Sequence, residues 1–189
     1  MNHQRTAAGS DWRASSNELC RDAVAWTDYL SRMIPHYAEL DAQLSVGSCP
    51  ADAAIPFLAS RGVRGLVSLQ SDEDLVARKI DWADRVALCA REGIAATRVP
   101  VVDFDRSDLA RHLDHGVAAI AASVAAGHPT YVHCNAGINR SPSAVIGFLV
   151  AHRGLTLEAA SAWVADRHDC YPYPDVMLAW ATRHGFRIE

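Results

Sequence analysis

Thr130-Tyr131-Val132-His133 is β-branched and aromatic and follows the break Gly127-His128-Pro129. These features predict a short buried strand. Behind it, Ser141-Pro142 opens an apolar run through Ala144, Val145, Ile146, Phe148, Leu149 and Val150. Proline suits a first helical turn, and Gly154 suits the stop. A buried strand must therefore pass into a helix through the short segment Cys134-Asn135-Ala136-Gly137-Ile138-Asn139-Arg140, which narrows the folds open to the chain.

The rest of the sequence alternates in the same way. Ser15-Ser16-Asn17-Glu18 resembles a capping box, and Leu19, Ala23, Trp26, Leu30 and Met33 recur at helical spacing. The pattern predicts a helix over 14–36 packed on the domain C-terminal to it, after a flexible tail over 1–13. Strands are expected near Leu44 to Val46, over Gly65 to Leu69 and over Ala95 to Val102. Helices are expected from Asp52 to Ser60, after the cap Ser71-Asp72-Glu73-Asp74, and over Trp82 to Arg91. Three more are expected: Leu109 to Ala126 with Asp108 as its cap, Thr156 to Arg167, and Asp175 to His184. Strands alternating with helices imply an α/β fold, a single domain over 37–189 whose mainly parallel sheet is covered by helices on both faces. Nothing repeats internally.

At 189 residues and 50% hydrophobic composition, the chain supports one substantial core rather than two. Five cysteines, Cys20, Cys49, Cys89, Cys134 and Cys170, are odd in number and scattered. That usage points to a reducing compartment, and with no membrane-length apolar run and no secretory leader a cytoplasmic location is expected. A net charge of −4 without a Lys/Arg cluster argues against nucleic acid as a partner. His112, His115, His128, His133 and His168 form no recognisable ligand set with the cysteines, so neither a metal nor another cofactor is expected.

The loop carries the chemistry. Curling between a strand end and a helix N-terminus turns several backbone N–H groups inward, where they and the helix dipole bind a phosphate dianion. Gly137 supplies the conformational freedom for the curl. The planar fork of Arg140 grips two phosphate oxygens and stabilises charge spreading over them during transfer. The same positive field favours Cys134 as a thiolate nucleophile. Ser141 is placed to donate a hydrogen bond to the sulfur when a phosphocysteine is broken.

Expulsion of an alkoxide or phenoxide calls for a general acid from elsewhere. Val99-Pro100-Val101-Val102-Asp103-Phe104-Asp105-Arg106-Ser107-Asp108 ends an apolar strand and starts a polar loop. Asp103, directly after the apolar run, is the first candidate and Asp105 its rival. In a parallel sheet both this segment and Cys134 fall at carboxyl ends of strands, where ligands bind.

His133 to Ser141 matches the pattern H-C-x-x-G-x-x-R-S and resembles the dual-specificity phosphatase family of the protein tyrosine phosphatase superfamily. The similarity covers about residues 37 to 178. Leu44-Ser45-Val46-Gly47-Ser48-Cys49, Leu69-Gln70-Ser71-Asp72-Glu73-Asp74-Leu75, Asp103-Phe104-Asp105 and Thr130-Tyr131-Val132-His133-Cys134 are similar to the plant glucan phosphatases. The resemblance implies the dual-specificity phosphatase fold and Asp103 as general acid. The glucan phosphatases share the loop pattern C-x-A-G-x-G-R, whereas Asn139 stands here in place of the second Gly.

The expected activity is hydrolysis of phosphomonoesters through a phosphocysteine, on phosphotyrosine, phosphoserine or phosphothreonine proteins or on a phosphoglucan. Cys134, Arg140, Asp103 and Ser141 are the expected catalytic residues. His133, Asn135, Ala136, Gly137, Ile138, Asn139 and Phe104 are expected to touch substrate, and Phe104, Trp82, Tyr171 and Tyr173 are candidates for a sugar-stacking platform. The alternatives are a phosphoinositide phosphatase, a non-catalytic phosphate-binding module, and a rhodanese-like sulfur transferase, which would not need Asp103.

Overall fold

The computed structural model describes Ile34 and residues 36–189. The tail expected over 1–13 lies outside them, as does the helix expected over 14–36 apart from Ile34 and His36.

Five strands form one sheet: β1 (Ala38–Glu39), β2 (Leu44–Gly47), β3 (Gly65–Gln70), β4 (Ala95–Val101) and β5 (Thr130–His133), in the order β1-β2-β5-β3-β4. Every pairing is parallel except that of the short edge strand β1 with β2. β2, β3 and β5 are buried along their whole length, whereas the edge strand β4, which carries Arg98 and Pro100, is largely open. Only an edge accommodates a proline and an alternating exposed face.

Among the described residues seven α-helices surround the sheet: α1 (Ile55–Ser60), α2 (Asp72–Arg78), α3 (Trp82–Arg91), α4 (Arg106–Ala125), α5 (Arg140–Arg153), α6 (Leu157–Ala165) and α7 (Pro174–Arg183). A 3-10 turn, Asp52–Ala54, leads into α1. Side chains along a strand alternate between faces, and the core divides accordingly. Val67, Leu69 and Val132 face a cluster that includes Leu113 and Ile120 of α4, Val145 and Leu149 of α5, Val164 of α6 and Trp180 of α7. Leu66 and Tyr131 face a second, smaller cluster with Ile55 and Leu58 of α1 and Cys89 of α3. Close approach of α4 to α5 requires Gly147, where a Cβ would lie 2.6 Å from Val117 Cγ2. Among the described residues no helix is long and apolar enough to cross a membrane.

The expected elements differ from the observed ones mainly at their ends. Helix α4 begins three residues earlier than Leu109, because Asp105 rather than Asp108 is its N-cap and accepts from the Asp108 N–H at 2.9 Å. Asp108 instead turns back and accepts from the Val102 N–H at 2.7 Å, which closes the β4–α4 loop on itself.

Candidate active site

In the parallel register Gly47 and Ser68 both lie level with His133. The carboxyl ends of β2, β3 and β5 thus come together, with that of β4 beside β3, at the place where the order of the strands reverses. Open α/β sheets bind their ligands at such a point. Cys134 leaves β5 there, Asp103 leaves β4, and α2 begins just past β3.

Cys134 is buried, and its Sγ accepts two hydrogen bonds, from the Gly137 N–H at 3.3 Å and from the Ser141 hydroxyl at 3.4 Å. Both donors favour negative charge on sulfur. Gly137 has φ 82°, and a Cβ on it would lie 2.5 Å from the Gly47 carbonyl carbon, so the curl depends on glycine twice over. Three neighbours pin the loop from outside. The Cys49 N–H donates to the Asn135 carbonyl at 3.1 Å, His168 Nε2–H donates to the Gly137 carbonyl at 2.7 Å, and the Tyr171 N–H donates to the Ile138 carbonyl at 2.7 Å. Burial lowers the His168 pKa, which favours the neutral ring.

Arg140 is 2% exposed and opens α5. One terminal nitrogen, NH1, is spent on the scaffold: 2.5 Å from Asp74 Oδ2, 2.8 Å from the Val101 carbonyl and 3.3 Å from the Leu69 carbonyl. The other terminal nitrogen lies 2.7 Å from Asp103 Oδ2, and Nε has no hydrogen-bond partner among the described residues. The guanidinium is therefore clamped on one side and presents a two-nitrogen fork on the other, the geometry that matches two oxygens of a tetrahedral anion. The ends of β3 and β4 and the first turn of α2 fix its direction.

Asp103 is 29% exposed at its side chain, against 9% for Asp74. Asp103 is thus the carboxylate of the pair with access to solvent, and Asp74 belongs to the wall. Asp105 is committed to capping α4 and to the Ser107 hydroxyl at 2.7 Å. Phe104 follows Asp103 with φ 58° and is 87% exposed, a left-handed backbone that a bulky residue seldom adopts.

The loop brings Cys134, Asn135, Ala136, Gly137, Ile138, Asn139, Arg140 and Ser141 into one turn. His133 stands apart. It is wholly buried behind the loop, stacked on Tyr131, and donates from Nδ1–H to the Cys134 carbonyl at 3.1 Å. Burial pushes its pKa down to about 3, so the ring is neutral. Asn139 ties the loop to the segment before α7 through Nδ2–H to the Tyr171 carbonyl at 2.7 Å. Of the four candidate stacking aromatics, Phe104 and Tyr171 are exposed, whereas Trp82 and Tyr173 pack against the two cores and carry Arg98 and Arg106 over their rings.

Asp74 and His168 were not legible as site residues. The capping box Ser71-Asp72-Glu73-Asp74 is visible in the sequence, and the structure contains it, with Asp74 accepting from the Ser71 N–H at 3.0 Å. That its other contact is Arg140 depends on where β3 lies in the sheet. His168 carries no periodic or motif signal at all.

This fold and loop define an α/β protein with a cysteine, an arginine and a carboxylate converging on one anion cradle. The sequence profile described as dual specificity phosphatase, catalytic domain, matches residues 68–174, more than half of the chain. The chain belongs to that family. It is 30% identical over 146 residues to rat dual specificity protein phosphatase 12, covering 77% of this chain and 40% of that protein. It is 26% identical over 147 residues to the chloroplastic phosphoglucan phosphatase LSF1 of Arabidopsis thaliana, covering 77% of this chain and 25% of that protein. The chain thus spans less than half the length of either relative. The crystal structure of human DUSP28 superposes with a TM-score of 0.62 at 28% identity, covering 80% of this chain and 96% of that one.

Proposed function

We propose that the protein is a cysteine-dependent phosphomonoesterase of the dual-specificity type, with residues 37–189 as its catalytic unit. The observation that carries this reading is the Cys134 sulfur holding two hydrogen bonds beside an arginine already clamped by Asp74. The Cys134 thiolate attacks phosphorus in line with the departing oxygen. The Arg140 fork and the loop N–H groups hold the equatorial oxygens, and Asp103 gives its proton to the leaving alkoxide or phenoxide. Asp103, now a carboxylate, takes a proton from water as that water attacks the phosphocysteine. Phosphate is released, and the Ser141 hydroxyl stabilises the departing thiolate.

Membership of the family supports a phosphorylated protein as substrate, and the likeness to a phosphoglucan phosphatase supports a phosphorylated glucan. Phe104 and Tyr171, exposed on two segments that bear on the loop, suit either an aryl phosphate or a sugar face. The described cysteines, Cys49, Cys89, Cys134 and Cys170, are all free, which fits a reducing cytoplasm.

The test is phosphate release from phosphorylated amylopectin and from phosphotyrosine and phosphothreonine peptides, in EDTA, with Cys134→Ser as blank. Release that the serine variant abolishes is expected. Preference for amylopectin assigns the glucan, preference for peptides the protein, and no release from any of them by the unaltered protein would sink the reading.

A further inference from the structure

A polar cavity opens beside the cysteine loop. Its volume is about 520 Å³, within the range of small-ligand sites. Ser48, Arg78, Lys79, Arg85 and the loop residue Asn135 stand on its wall, with Asp52 as the wall's acidic group. Asn135 follows Cys134 directly and joins the two places: its Oδ1 accepts from Arg78 Nε, and its carbonyl accepts from the other end of that guanidinium at 3.3 Å. Asn135 is neutral, so it orients Arg78 without cancelling the charge. Asp52 pairs with Arg85 at 2.9 Å. Arg78 and Lys79 therefore leave the wall positive.

Two further features of the wall point to a ligand. Ser48 Oγ and Arg85 Nε are buried donors without a hydrogen-bond partner among the described residues, and the Arg85 side chain is only 3% exposed. Buried donors are almost always satisfied, so two together on one cavity wall mark a place where acceptor oxygens belong. Lys79 ends α2 in a left-handed conformation, φ 55°, a position that glycine fills most easily. Lys79, a cation on this strained backbone, also lines the cavity.

Clustered donors and cations without a matching anion suit a phosphate dianion. We propose that this cavity is a second phosphate subsite, so that the preferred substrate carries two phosphates on one small framework. One of them reaches Cys134, and Ser48, Arg78, Lys79 and Arg85 hold the other. The inference rests on the phosphomonoesterase reading and narrows its substrate class to bis-phosphorylated compounds.

The experiment titrates the Cys134→Ser protein calorimetrically with glucose 6-phosphate and with glucose 1,6-bisphosphate, and separately assays the unaltered protein on p-nitrophenyl phosphate. The bisphosphate is expected to bind at least about tenfold more tightly than the monophosphate, and Lys79→Glu in the same background is expected to remove the difference. Lys79→Gly, which deletes the ammonium and suits the left-handed backbone, is expected to cut the difference severalfold and serves where charge reversal harms folding. Equal binding of the two sugars, or a difference that Lys79→Gly leaves unchanged, overturns the subsite. Loss of p-nitrophenyl phosphate turnover alone overturns the phosphatase reading, because the binding arm requires no turnover.

Discussion

Arg140 shows how a single side chain comes to be aimed. Its charge is buried, so it needs carboxylate and carbonyl partners, and Asp74 together with the Leu69 and Val101 carbonyls supplies them from two strand ends. Removing one partner of such a pair strands the other. Asp74→Ala is expected to destabilise the protein by about 3–5 kcal/mol in urea unfolding, and a loss below about 1 kcal/mol would contradict the clamp. Asp103 and Asp105 divide along the same line. Asp103 reaches Arg140, whereas Asp105 is occupied at the helix cap. Asp103→Ala is expected to slow phosphate release by roughly two to four orders of magnitude, while Asp105→Ala acts on stability and leaves turnover within a few fold. A larger turnover loss from Asp105→Ala would reverse the assignment of the acid. The sequence presents three carboxylates close together in one loop, and only their partners separate them.

The β5–loop–α5 unit works because backbone, not side chain, lines its inner face. Gly137 is both left-handed and in contact with the Gly47 backbone. Gly137→Ala is therefore expected to abolish most activity by opening the curl, with slower alkylation of Cys134 at neutral pH as the sulfur loses the N–H that favours its thiolate. Unchanged turnover in that variant would show that the loop does not need its observed form. Asn139 is a departure of this chain from the glucan phosphatase pattern, and its side chain spans to the Tyr171 carbonyl. Asn139→Gly is expected to loosen the 168–173 segment, seen as faster amide exchange at Tyr171, whose N–H is bonded to Ile138. Strand β5 and helix α3 were legible to the residue, because their apolar spacing and flanking breaks agree. The start of α4 was misplaced because Asp105 and Asp108 are equally good caps by type, and the choice falls to Asp108's tertiary bond to Val102.

At the scale of the molecule, burial of polar groups at the carboxyl ends of the strands couples folding to pH. His133 has a pKa pushed from 6.5 to about 3 by its removal from water. The unfolded chain therefore takes up a proton below about pH 6.5 that the folded protein refuses. This contribution is level above pH 6.5, and stability falls as the pH drops from there toward 3. Between pH 7 and pH 5 the cost from His133 is about 2 kcal/mol, and burial of His168 acts with the same sign. Urea unfolding at the two pH values is expected to show it, and His133→Gln is expected to flatten the slope. Equal stability at pH 7 and pH 5 would mean that His133 is hydrated in the folded state. Periodicity and short-range geometry are enough for the alternation of strands and helices, the mainly parallel sheet, and the strand–loop–helix passage from Cys134 to Arg140 with its thiol and cation. Long-range packing sets the rest: Asp74 clamps Arg140, His168 holds Gly137, His133 lies behind the loop, and Arg78 and Lys79 flank it. The contacts of Asp74 with Arg140, His168 with Gly137 and Arg78 with Asn135 join residues 66, 31 and 57 positions apart, and they exist because the order β2-β5-β3-β4 brings the carboxyl ends of four strands together. Local sequence carries no record of strand order.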